Sequence, residues 1–520
     1  MALHHFSDNQ IWPLYIGLAL LAASVVCFVL ENIKWSLVLL FLGALGLGFF
    51  IANLDNFLLL WDEQYHALVA KHLRDSPFDP TLYERPLLPY DYRNWTGNSI
   101  WLHKQPLFLW QIALSLKLFG LNNLAVRLPS VLLHAMAVLC IYRIGKIAVN
   151  ARTGYLAALF FAVAYYPLEL VAGRYSTDHN DVSFLFYITA SFWAWFEYRN
   201  SGKQFYLLLI GLFSGCAVLV KWLVGLLVYA SWFLSLGSQD AKHWLRWRSY
   251  QPLLMALGIC LLVFVPWQIY ILHAFPLEAN YEFAYNTRHF FEQLENHGGS
   301  FWYHFEMFRT IYGTGVLVPI LYGFGLLLLL KHAVHFAYRI AILSAVLIPY
   351  VFYAFAATKM PSFTIIVSPF FFLGLACLVD VSFTIIGKTL VRKKMWIAFQ
   401  LIALIFVCAF LLDLGKIQNY HTEWKPNDNC NRAAELAQME FIGRIKSLPK
   451  QNSYVVFDAD IRMNGHIATM FYTDVVAYDF IPSAAQITAI RAQNYKIVVC
   501  DKGNLPIYML TDKDILKVQL

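Results

Sequence analysis

Apolar runs of about twenty residues recur along most of this chain, and that recurrence limits the fold more than any other feature. As a helix, a run of that length crosses the roughly 30 Å hydrocarbon core of a bilayer. Backbone in lipid has to satisfy its own polar groups, so a chain of such runs folds as a helical bundle. The first two runs cover residues 11–30 and 35–54. The first has no basic leader and no small-residue cleavage site, so it is expected to stay as an anchor. Further spans are expected at 126–142, 153–170, 181–197, 205–220, 222–236, 252–272, 313–330, 340–356, 362–379 and 395–414, about twelve in all. The composition agrees, with only 14% charged residues against about 25% in soluble domains. The formal charge of +7 then reflects short basic loops that set orientation, not a nucleic-acid partner.

The first long polar stretch, residues 55–106, is far longer than a bundle connection needs to be. It opens on Asp62 and Glu63 and closes on His103-Lys104-Gln105-Pro106, with Arg85, Asp91, Arg93, Trp95 and four tyrosines between. Carboxylates at one end and a cation at the other suit a phosphate-bearing substrate that gives up a proton or holds a metal. Aromatic and basic residues also collect at headgroup level without any such role. The run that follows, 107–120, is short and carries Lys117, which suits a helix lying at the interface. With that run kept out of the membrane, the basic clusters around Arg143, Arg199, Arg246, Lys331 and Lys388 fall on alternate connections. If those are cytoplasmic, the loops 55–106, 173–180, 273–312 and 358–361, with the turn at Lys221, all face the other side.

Those loops hold the remaining candidates. The turn at 173–181 has Asp178 and Asp181 beside an arginine and a histidine, where one acid alone would read as a helix cap. Lys221 and Lys359 stand between apolar runs. Each can snorkel to water or hold a lipid phosphate as a point charge. Loop 273–312 is dense in histidine and acids, His289 among them, which permits a divalent metal without a spaced signature. There is no phosphate-binding glycine loop and no dinucleotide motif. Beyond 414 the chain turns polar, and residues 415–520 read as a small extracytoplasmic α/β domain. Its strands are expected at 454–457, 475–478 and 496–500, with a helix over 432–445. Six of the eight cysteines lie in spans. The other two, Cys430 and Cys500, can pair in an oxidising compartment, or Cys500 can be a small buried hydrophobe ending a strand.

Six segments occur in an order that resembles family 39 of the membrane C-type glycosyltransferases. That group includes protein O-mannosyltransferases and the lipid A aminoarabinose transferase. The segments are WDEQYHALVAKHL, HKQPLFLWQIALSLKLFGLNNLAVRLPSVL, GRYSTDHNDVSFLFY, GLFSGCAVLVKWLVGLLV, ENHGGSFWYHF and ATKMPSFTIIVSPFFFLGLA. The spans together make a transmembrane domain over 1–414, and the resemblance covers about residues 55–375 of the chain. It implies transfer of a sugar from a polyprenyl-phosphate donor to a lipid, glycan or protein acceptor on the extracytoplasmic face of the plasma (inner) membrane. Asp62 and Asp181 then match the family's loop acids, with Asp178 and Glu63 as further catalytic candidates. Lys104 matches a lysine that contacts the donor phosphate, with Lys221, Arg93 and Lys359 as further phosphate ligands. His103 stands where many members have glutamate, and it is a candidate metal ligand with His289. Tyr65 stands where some members have arginine. A transporter or flippase would instead show mid-membrane charges and broken helices in matching halves. A ligase of O-antigen type would also use a polyprenyl donor, but the early Asp-Glu pair favours family 39.

Overall fold

The computed structural model describes residues 8–174, 179–237, 244–388, 393–417 and 432–519. Its helices are α1 (Asp8–Val29), α2 (Ile33–Ala52), α3 (Asp62–Leu73), α4 (Pro106–Phe119), α5 (Asn123–Ala148), α6 (Ala151–Val163), α7 (Tyr165–Val171), α8 (Asn180–Ser201) and α9 (Phe205–Lys221). Next come α10 (Leu227–Leu236), α11 (Gln251–Ala274), α12 (Pro276–Phe291), α13 (Tyr303–Glu306), α14 (Phe308–Tyr312), α15 (Leu317–His332), α16 (Phe336–Phe355), α17 (Ser368–Gly387) and α18 (Lys393–Leu412). The C-terminal domain adds α19 (Arg432–Lys446), β1 (Tyr454–Phe457), α20 (Gly465–Tyr472), β2 (Val476–Ala477), α21 (Ala484–Ala492), β3 (Lys496–Asp501), α22 (Ile507–Leu510) and β4 (Ile515–Gln519). The chain forms two compact units, one of residues 8–53 with 130–417, the other of 54–129 with 432–519.

The first unit is the helical bundle. Eight helical runs are long and apolar enough to cross a membrane, and two bent helix pairs bring the number to ten among the described residues. One of the eight, Phe205–Leu236, is continuous by hydropathy but reverses on itself. Ser214 and Tyr229 share a hydrogen bond of 2.8 Å, whereas fifteen residues of straight helix would separate their backbones by about 22 Å. A Cβ on Gly225 would lie 2.6 Å from the Val218 nitrogen, so only glycine lets α9 and the following 3-10 turn pack this closely. The reversal at Lys221–Trp222 keeps 205–220 and 222–236 as separate segments. The two bends were not legible as such. Pro167 breaks the run between α6 and α7 by 54°, as a proline that lacks an N–H and crowds the preceding turn does. Gly313 and Gly315, both at positive φ, sit between α14 and α15, where the chain bends by 93°.

The second unit is built on a parallel sheet in the order β2-β1-β3-β4. The expected strands and helix are there, and β4 is an edge strand that the short final run did not reveal. Val455, Phe457, Ile497, Val499 and Ile515 from the sheet pack with Ile487 and Ile490 of α21, and Leu88 of the long loop joins them. Buried Cys500 belongs to β3, and burial pushes its thiol up to about 11. Cys430 lies outside the described residues.

The long loop is therefore held in place. Tyr83 stacks on Tyr478 with ring centres 5.4 Å apart and donates to the Ala477 carbonyl at 3.1 Å. Lys71 of α3 donates to the Met470 and Thr473 carbonyls at the end of α20. The start of α3 hangs on Arg127, which is fully buried with Glu63. Its Nε and Nη2 donate to the two Glu63 oxygens at 2.7 and 3.0 Å, and its remaining donors reach the carbonyls of Asp55 and Phe57 at 2.7 Å. At 14 residues, α4 is about 21 Å long and too short to span. It lays Phe108, Leu109, Ile112 and Leu116 into this unit.

Removing one member of a buried pair strands the other charge, at about 3–5 kcal/mol. Glu63→Ala or Arg127→Ala should therefore lower stability by that amount in thermal or denaturant unfolding in detergent. The Glu63→Leu/Arg127→Met double variant should be clearly milder than the sum of the two single losses.

Candidate active site

Two acid–lysine pairs emerge, one in each unit. In the second unit Asp62 is the first residue of α3, where the helix dipole favours a carboxylate. It is buried, with Lys104 Nζ 3.4 Å from its Oδ1. Lys104 is set at that distance because Pro106 starts α4 directly behind it. Aromatic rings crowd the same part of the chain. His103 stacks on Trp95 at 4.2 Å with the rings nearly parallel. Tyr65 lies against Trp95 at 5.1 Å and over Trp101 at 6.3 Å. Burial, together with Asp460, Asp479 and Asp62, holds the Tyr65 phenol far above its usual range. It stays a neutral donor, and its hydroxyl reaches Asn464 Oδ1 at 3.3 Å.

In the helical unit Asp181 occupies the first turn of α8 and is almost fully buried. Lys221, at the reversal after α9, places Nζ 2.6 Å from Asp181 Oδ1. The same ammonium sits 5.0 Å from the centre of the Phe363 ring, a cation–π arrangement. Phe363 belongs to the 3-10 turn Pro361–Val367, so three separated stretches of sequence meet at one cation.

Both pairs have a strained neighbour. Trp61, directly before Asp62, has φ 60° and ψ −116°, and Trp222, directly after Lys221, has φ 58° and ψ −159°. A bulky L-residue pays of order 1–3 kcal/mol for such backbone, and such outliers cluster where geometry serves function. Composition and spacing carry no sign of either tryptophan's conformation, nor of Phe363.

Other expected residues are placed differently. Glu63 is not a free acid, since its two oxygens accept from Arg127 and from the Leu59 amide at 2.5 Å, and the geometry assigns it to structure. Lys359 is engaged with the backbone. Its buried Nζ donates to the carbonyls of Tyr353, Ala354 and Ala356 at 3.0, 2.9 and 2.6 Å, closing the C-terminal end of α16. Arg93 is largely exposed and turned onto Asp91, its Nε 3.0 Å from Oδ1. His289 holds Thr358 Oγ1 at 3.1 Å through Nδ1, as part of the packing of loop 273–312 against residues 357–359. Asp178 lies outside the described residues. Among the described residues, Asp460, His466 and Asp479 form a group able to hold a metal ion.

Comparison with solved structures places this fold in a class. ArnT from Cupriavidus metallidurans bound to undecaprenyl phosphate superposes with a TM-score of 0.62 at 15% identity, over 88% of each chain. The archaeal oligosaccharyltransferase AglB from Archaeoglobus fulgidus gives 0.53 at 14% identity, over 90% of this chain and 69% of that one. The fold is that of the C-type membrane glycosyltransferases, and the chain is an integral membrane protein. Residues 103–270 match the family model for dolichyl-phosphate-mannose-protein mannosyltransferases. An uncharacterized protein of Aquifex aeolicus is 30% identical over 161 residues, 31% of this chain and 32% of that protein. The undecaprenyl phosphate-alpha-4-amino-4-deoxy-L-arabinose arabinosyl transferase of Pseudomonas paraeruginosa is 29% identical over 211 residues, 38% of this chain and 36% of that protein. The chain thus matches about a third of the length of these relatives.

Lys359 should reveal its role through stability. Lys359→Met keeps the apolar stem but strands buried carbonyls, and should cost about 1–3 kcal/mol in unfolding measurements. Lys359→Arg should recover part of that loss.

Proposed function

We propose that the protein transfers a sugar from a polyprenyl-phosphate donor to a hydroxyl or phosphate group of a lipid, glycan or protein acceptor. The observation that carries this reading is the pair of buried carboxylates, Asp62 and Asp181, each held by a lysine at a helix start. Both lysines and Asp181 lie within the stretch that matches the family model. The ArnT structure holding undecaprenyl phosphate supports the donor class. The AglB structure with a dolichol-phosphate fits a lipid-linked donor as well.

In the reaction the bond from the anomeric carbon to the phosphate oxygen breaks, and its electron pair leaves with the phosphate. The acceptor oxygen attacks the same carbon and loses its proton. A lysine that moves from its carboxylate to the phosphate serves both halves. It offsets the growing negative charge on the leaving group, and it frees the carboxylate to take the acceptor proton. In this reading Lys104 and Lys221 take the first role, and Asp62 and Asp181 the second or that of holding the acceptor. A sugar already carrying a phosphate leaving group needs no nucleotide. The active site is on the extracytoplasmic face of the plasma (inner) membrane, as the alternation of basic loops supports.

Asp62→Asn and Asp181→Asn should each lower transfer by at least about 100-fold, with expression and elution on size exclusion unchanged. Asp178→Asn should be milder. The readout is mass spectrometry of glycolipids and glycoproteins from a deletion strain carrying each variant. Near-normal products with either Asn variant would remove that acid from the catalytic set. Undecaprenyl phosphate should raise the unfolding temperature of the wild type by mass action. That rise should survive in Lys359→Met and vanish in Lys221→Met. Cysteine labelling from intact cells should reach residues introduced in loop 55–106 and not those at 388–394. The reverse pattern would overturn the orientation.

A further inference from the structure

The carboxyl ends of β1 and β2 carry side chains that sugar transfer does not use. In the order β2-β1-β3-β4 the chain leaves β1 towards β2 on one side, and β3 lies on the other. Ligands of open parallel sheets bind outside the carboxyl ends of the strands at such a reversal. Asp460 follows β1, Asp479 follows β2, and His466 stands in the first turn of α20 between them. One ligand atom from each lies within 4.8 Å of the others. His466 is 5% exposed. Asp460 Oδ1 accepts its backbone N–H at 2.6 Å and meets its Nδ1 at 2.8 Å, which locks the ring against the carboxylate. Among the described residues no lysine or arginine pairs with Asp460 or Asp479. The neighbouring Asp458, by contrast, is neutralised by Lys502 at 2.6 Å.

A second observation points to the same place. His466 and Asp479 line a cavity of about 300 Å³ together with Tyr65, Tyr83, Tyr90 and Asn464. Asn464 is 8% exposed and takes the Tyr65 hydroxyl on Oδ1, while its buried Nδ2 has no partner among the described residues. A buried amide left that way costs about 1–3 kcal/mol unless something in the cavity accepts from it.

We propose that Asp460, His466 and Asp479 bind a divalent cation whose open coordination positions face this cavity. The imidazole beside two carboxylates favours an ion that accepts nitrogen as well as oxygen, Zn²⁺ or Mn²⁺, over Mg²⁺ or Ca²⁺, which favour oxygen alone. Bound at about 2.0–2.2 Å from each ligand, the ion draws exposed Asp479 inward and leaves room for an oxygen ligand that also accepts from Asn464. The site lies wholly in the second unit and is independent of the transfer reading.

The test uses full-length protein in detergent, stripped with a chelator and dialysed against Zn²⁺, Mn²⁺ or Mg²⁺ alone. Metal per chain is measured by mass spectrometry. The wild type should take up one Zn²⁺ or Mn²⁺ and no stoichiometric Mg²⁺. Asp479→Asn and His466→Gln should each weaken binding more than about tenfold, and Asp458→Asn should leave it unchanged. Asp479 is exposed, so its variant is expected to unfold at the wild-type temperature, which a melting curve checks. Failure of the wild type to take up the ion, or undiminished binding in both ligand variants, would overturn the proposal. So would equal loss in Asp458→Asn. Because the readout needs no sugar donor, loss of transfer and loss of metal are separate results.

Discussion

The guanidinium of Arg127 is the contact on which the long loop depends. It sits in the first part of α5, fully buried, and gathers the carboxylate of Glu63 and the carbonyls of Asp55 and Phe57. A planar fork with five donors is the one side chain able to do this. Without it the turn before α3 has no partner for its carbonyls, and a buried polar group without a partner is costly. With it, the entry to α3 is fixed, and so is the position of Asp62.

From that anchor the rest of the second unit follows by packing. Leu88 enters the core beside the sheet, Tyr83 stacks on Tyr478, and Lys71 closes the end of α20. A fifty-residue connection would be a poor platform for chemistry if it moved freely. Here it is a layer of the C-terminal domain, and its cavity opens among tyrosines that the loop itself supplies.

The helical unit uses a different device for the same end. The reversal of α9 at Lys221–Trp222 brings a lysine to the start of α8, against Asp181 and over Phe363. Strain at Trp61 and Trp222 is tolerated because the surrounding helices over-determine the backbone there.

Much of this was legible in advance, and the reasons are local. Hydropathy of a twenty-residue run reports directly on lipid, so the bundle, the short α4, the strands of β1 and β3, and the loops bearing Asp62, Asp181, Lys104 and Lys221 could all be read from the chain. Pairing could not, because it depends on which helix starts meet. The partner of Asp181 is forty residues away, and that of Glu63 is sixty-four. Glu63 and Lys359 looked like site residues since a charge beside a membrane run reads alike whether it faces a substrate or a buried carbonyl. Only the fold tells these apart, by deciding which donors each charge is packed against. The sequence by itself determined a helical membrane bundle with a small α/β domain and the residue types its chemistry needs. The tertiary structure decided which carboxylates are used up in holding the chain and which sit against a lysine, because that depends on burial and on partners distant in sequence.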